Sequence, residues 1–151
     1  MEIERKFLCN MPSFDLSSYE KTGIIQYYIS TKPVIRIRKT DHAFFLTIKS
    51  KGSVSRQELE MEITKEEFDN LVCLTDKAPV SKTRYFIPIG NGLTAELDIY
   101  DDALSDLITV EVEFESLEAA HSFIPPEWFG EDVSEDNRYK NASLYIKGLP
   151  E

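Results

Sequence analysis

Apolar and polar residues alternate along most of the chain, and a period of two predicts a protein built mainly from β-strands. In the opening stretch EIERKF, for example, Glu2, Glu4 and Lys6 occupy every other position. The same alternation predicts eight strands, at residues 2–9, 24–30, 34–39, 43–51, 56–63, 82–89, 93–100 and 107–114. Strands therefore dominate the predicted fold.

Gly, Pro, Asn and Asp residues occupy the short connections between several of these strands, at 31–33, 40–42, 52–55 and 90–92. Such turns join antiparallel neighbours. Three helices are predicted: one that begins at Thr64 with a capping-box sequence, one at 116–123, and one at 141–147 that ends before Gly148. Eight antiparallel strands with few helices can form either a sandwich or a barrel.

Every predicted strand except that at 24–30 has one apolar and one charged face when its residues are assigned by parity. The charged face holds eight of the 17 basic residues: Lys6, Arg36, Arg38, Lys49, Lys51, Arg56, Lys82 and Arg84. Its acidic residues are Glu2, Glu4, Glu58, Glu60, Glu62, Glu96, Asp98, Glu111 and Glu113. For a single strand, a solvated face with pairing across strands explains such charges. Across all strands, however, like charges recur side by side, and they repel unless something of opposite sign lies between them.

Separate acidic and basic groups favour a ligand that carries both signs, such as a metal ion bound to a polyphosphate. Carboxylates are preferred ligands of Mg²⁺ and Mn²⁺, while Lys and Arg bind phosphate oxygens. To surround such a ligand, the strands would close into a barrel with the charged face inside and the apolar face outside, under the helices. An ordinary barrel with its charged face in solvent is the alternative.

Composition narrows the class of protein further. With 151 residues, of which 42% are apolar, the chain is expected to form one domain, residues 1–151. Its net charge of −10 argues against nucleic acid and anionic membranes as partners. Cys9 and Cys73 lack metal-site spacing and are expected to be reduced thiols. No apolar run is long enough to span a bilayer and the first residues are acidic, so a cytoplasmic location is predicted.

Eight sequence blocks, in this order, resemble a known superfamily: EIERKF, RIR, LTIKSKG, SRQELEMEI, KTRY, ELDIY, VEVEF and EDNRYKNASL. They cover nearly the whole chain and are similar to those of the CYTH, or triphosphate tunnel metalloenzyme, superfamily. The resemblance implies a mainly β (α+β) fold. Its core would be an eight-stranded antiparallel closed barrel around a charged tunnel, with a few short helices packed outside.

Within that superfamily the chain looks most like the short single-domain bacterial members, which are known chiefly as inorganic triphosphatases. The resemblance therefore implies metal-dependent hydrolysis of inorganic tripolyphosphate to pyrophosphate and phosphate. Thiamine triphosphatase activity, class IV adenylate cyclase activity and a noncatalytic polyphosphate- or nucleotide-binding role are the alternatives. Whether the chain forms a homodimer is left open.

The resemblance also implies roles for individual residues. Glu2, Glu4, Glu111 and Glu113 match acids that bind Mg²⁺ or Mn²⁺, and Asp98 is a further ligand or supports one. Glu60 and Glu62 are candidates for orienting cations or for a second metal site. The expected substrate-binding residues are Lys6, Arg36, Arg38, Lys49, Lys51, Arg56, Arg84 and Lys140. Lys82 is the expected proton acceptor, paired with Tyr28 of QYYI, where Tyr27 replaces a glycine of the family pattern.

Overall fold

The computed structural model of the protein describes residues 1–52 and 54–150; Ser53, inside the predicted turn at 52–55, and Glu151 lie outside the described residues. The strands of the described chain are β1 (Glu2–Cys9), β2 (Glu20–Thr31), β3 (Val34–Lys39), β4 (Phe44–Lys49), β5 (Ser55–Arg56), β6 (Glu58–Ile63), β7 (Val80–Gly90), β8 (Leu93–Tyr100), β9 (Ile108–Glu113) and β10 (Phe129–Asp132). The helices are α1 (Lys65–Val72), α2 (Leu117–Ser122) and α3 (Asn141–Lys147), with short 3-10 turns at Asp102–Leu104 and Asn137–Tyr139. The prediction of a mainly β protein with a few short helices is confirmed.

The strands form one antiparallel sheet that curls into a nearly closed barrel. Along the sheet they follow the order β10-β1-β9-β8-β7-β2-β3-β4-β6. The far end of this sheet returns to β1 because β5, which directly precedes β6 in the chain, pairs with β1. We call this pairing the closing ladder: Glu2 lies opposite Arg56, and Ile3 opposite Ser55. The predicted antiparallel barrel is thus confirmed, and its closing edge is short.

Two features of the sheet differ from the strands predicted by alternation. The predicted strand at 56–63 is divided at Gln57, because β5 pairs with β1 whereas β6 pairs with β4. The four-residue β10 was not predicted; it adds to the edge of β1. Gly130 permits that approach, since a β-carbon there would lie 2.6 Å from the carbonyl oxygen of Leu8. Both differences arise from pairing with β1, which local alternation does not encode.

Helix α1 covers the apolar outer face of β3, β4 and β6. The Thr64 hydroxyl accepts a hydrogen bond from the Glu67 amide at 3.1 Å, and the Glu67 carboxylate accepts one from the Thr64 amide at 2.9 Å. This reciprocal cap satisfies two backbone donors at the start of the helix. Phe68 is buried against Ile37 and Ile63. The predicted helix and its position outside the barrel are confirmed.

Two further apolar clusters complete the packing around the sheet. The outer face of β1, β7, β8 and β9 packs under α2 and β10, and Phe129 of β10 joins its buried residues, which are Ile3, Phe7, Ile87, Ala95, Leu97, Val110 and Val112. At one end of the barrel, α3 packs Leu144 and Tyr145 against Tyr28, Val80 and Tyr100. None of the helices in the described ranges combines the length and the apolarity needed to cross a bilayer.

Candidate active site

Charged side chains line the inside of the barrel, as the parity of the strands predicts. Seven of them are buried: Lys6, Arg36, Lys49, Lys82, Arg84, Asp98 and Glu111. We call the space they border, together with the half-buried Glu2, Glu4 and Arg38, the charged interior. Since the apolar positions of the same strands pack outside, the inverted arrangement is confirmed for this sheet.

Glu4 and Glu111 form the acidic side of the charged interior. They project from the paired strands β1 and β9, where Lys6 lies opposite Glu111. Burial and the neighbouring carboxylates of Glu111 and Glu2 raise the pKa of Glu4 well above its usual value. The pKa of Glu111 is held well below its usual value, because the attraction of Lys6 and Arg84 outweighs the effect of burial. Two carboxylates are thus held close together against their mutual repulsion.

A small cavity lies beside this carboxylate pair. Its volume is about 30 Å³, and its lining includes Glu4, Glu111, Lys6, Arg56 and Lys140. That volume suffices for one water molecule or ion. A larger cavity, of about 590 Å³, lies elsewhere, between the β7–β8 turn and α2, and it includes none of the buried charges. We therefore place the site inside the barrel and not at the larger cavity.

Glu2 joins the acidic side to the closing ladder. Its carboxylate accepts hydrogen bonds from Lys49 Nζ at 3.0 Å and from Arg56 Nε at 3.2 Å. Lys49 Nζ also lies 3.4 Å from the carboxylate of Glu58. Burial raises the pKa of Glu2, but the hydrogen bond with Glu58 and the charges of Lys49 and Arg56 outweigh it, so the net shift is downward. These ion pairs connect β1, β4 and β5 across the edge where the barrel closes.

Asp98 organises the opposite, basic side. Arg84 donates two hydrogen bonds to it, from Nε to Oδ1 at 2.8 Å and from Nη2 to Oδ2 at 2.9 Å. Lys82 Nζ lies 2.7 Å from Asp98 Oδ2 and 5.1 Å from the centre of the Tyr100 ring. Both oxygens of Asp98 are therefore occupied by cations, which suits a residue that orients Lys82 and Arg84.

Lys82 is fully buried among other charges. Burial, together with the positive charges of Arg84 and Arg38, lowers its pKa to about 7, although Asp98 opposes the shift. A lysine with that pKa is partly neutral near neutral pH and can accept a proton. No hydrogen bond joins Lys82 to Tyr28 in the described part of the chain; the Tyr28 ring packs 5.4 Å from that of Tyr145. The pairing of Lys82 with Tyr28 stays a prediction.

Arg36 and Arg38 point into the barrel from β3. Arg36 Nη2 donates to Thr47 Oγ1 at 3.1 Å and lies 3.7 Å from Glu60. Arg38 donates from Nε and Nη2 to Gln26 Oε1, at 2.9 and 2.7 Å. Burial and the nearby Arg36 and Arg84 lower the pKa of Arg38 to about 10. Arg38 is therefore held by a neutral partner, whereas the other interior cations lie beside carboxylates.

The remaining predicted residues lie at the edges of this interior. Glu113 is directly opposite Glu4 in the β1–β9 register, but it is exposed, as are Lys51 and Glu62. Lys140 donates to the carbonyl oxygen of Gly52 at 2.8 Å. Its pKa is lowered by burial and by Arg56. The structure thus brings most of the predicted residues together and leaves these four, as well as the exposed Glu60, at the periphery.

Residues without charge also belong to the site, and charge patterning did not identify them. Asn141 Oδ1 accepts from Tyr100 Oη at 3.2 Å and lies 3.4 Å from Lys6 Nζ. Gln26 and Thr47 are fully buried beside the two arginines of β3. The parity of β2 places Gln26 on the inner face with Thr22 and Ile24, and this was the available signal.

Four buried side-chain polar atoms in the described residues make no hydrogen bond of good geometry: Gln26 Nε2, Arg36 Nε, Lys82 Nζ and Glu111 Oε1. Two of them still have an ionic neighbour, since Lys82 Nζ is paired with Asp98 at 2.7 Å and Glu111 Oε1 lies 3.8 Å from Lys6 Nζ. Buried polar groups are normally paired, so each such atom needs an explanation. All four belong to the charged interior. Gln26 Nε2 and Arg36 Nε are the unpaired donors on its basic side and Glu111 Oε1 lies on its acidic side, which is the pattern expected for binding an anion and a cation together.

Lys82 gives the first testable consequence of this arrangement. Its pKa of about 7 in the folded protein lies below the value of about 10.4 for an unfolded lysine. Between these values the unfolded chain binds more protons, so the free energy of unfolding should rise as the pH increases from 7 to 10. The charged or titratable groups that face Lys82 are Asp98, Arg84, Arg38, Glu111 and Tyr100. We expect urea unfolding of Lys82→Met to show a flatter pH slope; equal slopes would contradict the burial of this charge.

A nearly closed antiparallel barrel with buried acids and bases on opposite sides of its interior is the architecture of a triphosphate tunnel protein. The chain belongs to the CYTH family, since the model of the CYTH domain matches residues 1–143. This confirms the family indicated by the eight sequence blocks.

Named relatives share this sequence over most of their length. An inorganic triphosphatase of Nitrosomonas europaea is 43% identical over 148 residues, which cover 96% of this chain and 97% of that protein. An inorganic triphosphatase of Acetivibrio thermocellus is 31% identical over 149 residues, 95% of this chain and 92% of that protein. The crystal structure of the inorganic triphosphatase NE1496 aligns with a TM-score of 0.70 at 39% identity, over 99% of this chain and 97% of that one.

Proposed function

We propose that this protein is a metal-dependent inorganic triphosphatase, which hydrolyses tripolyphosphate to pyrophosphate and phosphate inside the barrel. The observation that carries the proposal is the separation of the buried atoms without a hydrogen bond, with the donors Gln26 Nε2 and Arg36 Nε on the basic side and the acceptor Glu111 Oε1 on the acidic side. The relatives named inorganic triphosphatase support the same reaction.

The residues on the acidic side fit a divalent metal ion. Glu111 Oε1 is buried without a hydrogen bond and lies 3.8 Å from Lys6 Nζ, Glu4 is held beside it, and the adjoining cavity has room for an ion. No three carboxylate, histidine or cysteine groups among residues 1–52 and 54–150 are gathered into a preformed metal cluster. In our proposal Glu4 and Glu111 are the principal ligands, with Glu2 and Glu113 beside them. Mg²⁺ or Mn²⁺ would withdraw charge from the phosphate oxygens and lower the pKa of the attacking water.

The basic side would hold the substrate. Arg36, Arg38, Arg84, Lys6 and Lys49 point into the interior and can neutralise phosphate oxygens, with Arg56, Lys51 and Lys140 nearer its edge. Phosphoryl transfer depends mainly on such positioning and charge stabilisation. Asp98 keeps Arg84 and Lys82 in place, and Glu60 does the same for Arg36. Glu62, on the same strand, is proposed to support this row.

Lys82 is the proposed proton acceptor. Water attacks the terminal phosphorus, the bond to the bridging oxygen breaks, and pyrophosphate leaves with the electron pair of that bond. The proton from water passes to the neutral amine of Lys82, whose buried position favours the uncharged form. Tyr28, which lies on the inner face of the neighbouring strand β2, is proposed to assist Lys82 in this proton transfer.

Phosphate release from a substrate panel tests the proposal. We expect the purified protein with Mg²⁺ or Mn²⁺ to convert tripolyphosphate to equimolar pyrophosphate and phosphate, and EDTA to abolish this. ATP, thiamine triphosphate and pyrophosphate serve as competitors and controls, with products identified by ³¹P NMR. A dominant product from thiamine triphosphate, or cyclic AMP from ATP, would assign a different reaction to the same interior. Tight binding without turnover in both metals would make the protein a sensor and contradict the proposal.

Other properties stay predictions. A cytoplasmic location and the lack of nucleic-acid or membrane partners follow from sequence composition alone. Formation of a homodimer also stays a prediction. The single-domain organisation over residues 1–151 is our proposal, in keeping with the one sheet that the described strands form.

A further inference from the structure

Gln26 lies between the two basic rows of the charged interior. On β2 it is opposite Arg38 of β3 on one side and opposite Val80 of β7 on the other. Arg36, the next residue on the same face of β3, lies opposite Tyr28. Lys82, the next residue on the same face of β7, lies opposite Ile24. Gln26 is fully buried, with 0% of its surface exposed. An uncharged amide therefore occupies the centre of a cationic wall.

The orientation of this amide is fixed by its partner. Both Arg38 Nε and Nη2 donate to Gln26 Oε1, at 2.9 and 2.7 Å. A flipped amide would place its NH₂ group against these two donors, so only the observed orientation is chemically consistent. Gln26 Nε2 must then point away from Arg38, and there it has no partner.

A neutral acceptor also leaves the charge of Arg38 intact. Arg84 is neutralised by Asp98 at 2.8 Å, and Lys49 by Glu2 at 3.0 Å. Arg38, in contrast, is held in place by two hydrogen bonds to an uncharged oxygen. Its guanidinium remains available to an anion, and the free NH₂ group of Gln26 offers two more donors beside it.

We propose that Gln26 is a phosphate-binding residue: its NH₂ group donates to a nonbridging oxygen of the oligophosphate while its carbonyl oxygen aims Arg38 at the same anion. The inference rests on the proposed function, since it assigns a further residue to the same substrate. It also explains a buried unpaired donor that the ion pairs of the interior leave without a partner.

A double-mutant cycle separates the direct contact from an effect through Arg38. We expect Gln26→Met to lower kcat/KM for tripolyphosphate, measured with Mg²⁺, by about 10- to 150-fold, the loss of one hydrogen bond to a charged group. If the NH₂ group contacts phosphate, Gln26→Met should still cause a loss of about tenfold when introduced into Arg38→Met. If Gln26 acts only by aiming Arg38, the second loss vanishes and the proposed contact is wrong.

Controls keep this result distinct from a failure of the proposed function. Lys21→Gln, on the exposed outer face of β2, should leave kcat/KM unchanged. A wild-type protein inactive on tripolyphosphate would overturn the proposed function. An active wild type with an equally active Gln26→Met would overturn only the role of Gln26.

If circular dichroism shows that Gln26→Met does not fold, an NMR titration of the wild-type protein tests the contact directly. In ¹H–¹⁵N spectra, the Gln26 side-chain NH₂ pair, assigned by its loss in Gln26→Glu, should shift when tripolyphosphate is added in EDTA. A shift of neighbouring backbone amides without this pair would overturn the contact.

Discussion

Replacement of Glu4 by Gln is expected to lower the rate of tripolyphosphate hydrolysis by about 10²- to 10⁴-fold. A loss of this size is expected because a weakened metal site would remove several kcal/mol of transition-state stabilisation. The same change should stabilise the metal-free protein at neutral pH. Glu4 has a raised pKa because it is buried beside Glu111 and Glu2, so its ionised form destabilises the fold. A group whose pKa is raised in the folded state costs stability above that pKa and none well below its unfolded value. Gln keeps the shape of the side chain without the charge.

Two measurements test this pair of opposite effects. Phosphate release with saturating Mg²⁺ gives the loss of activity, and thermal unfolding in EDTA at pH 8 and pH 4 gives the change in stability. The gain in stability should be present at pH 8 and should shrink towards pH 4. A mutant that is as active as wild type, or less stable than wild type at pH 8, would contradict the assignment of Glu4 to a carboxylate pair built for a cation.

Replacement of Asp98 by Asn is expected to have the largest effect on the fold. Asp98 is fully buried and accepts hydrogen bonds from Arg84 while it pairs with Lys82 at 2.7 Å. Removal of its charge leaves Lys82 without its ion-pair partner and Arg84 with only the Glu96 carboxylate, at 3.4 Å, and breaking such a buried pair typically costs about 3–5 kcal/mol. We expect urea unfolding to show a loss of this size and the remaining folded protein to be nearly inactive, because Arg84 and Lys82 lose their orientation.

A surface pair provides the matched control for Asp98. Asp69 pairs with Lys65 at 2.7 Å on helix α1, but its side chain is 58% exposed. Asp69→Asn should therefore cost only about 0.3–0.5 kcal/mol and leave activity unchanged. If Asp98→Asn cost no more than this control, the buried cluster would not be the element that holds the basic side together.

The fold was largely predictable because apolar and charged residues alternate along the strands, which shows the face of the sheet to which each residue belongs. Alternation placed Glu2, Glu4 and Lys6 on one face, and like charges in series indicated that this face turns inward. What alternation could not predict depends on contacts far apart in the chain. Gln57 divides a strand only because its two sides have different neighbours, and β10 is ordered by β1 across more than one hundred residues.

The sequence predicted which charged residues face the interior, but not which of them contact one another. Parity assigns Lys82 and Asp98 to the same interior, yet it does not reveal that Asp98 is enclosed by two cations, since that requires the register of β7 against β8. Gln26 escaped notice because charge was the criterion, and an amide carries none. Glu113 has the same parity as Glu111 but lies further towards the end of the strand, where the side chain is exposed.

The closing ladder makes binding and barrel closure thermodynamically linked. Glu2, Lys49 and Arg56 hold β1, β4 and β5 together through their own ion pairs, and the same side chains have the charges that a cation or an anion would recruit. A ligand that binds one of these side chains in place of its ion-pair partner must change the stability of the closing ladder. A substitution that strengthens or weakens these ion pairs is therefore expected to change the affinity for that ligand as well. Substitutions along this edge are therefore expected to alter binding through the closure of the barrel, even where they contact no substrate.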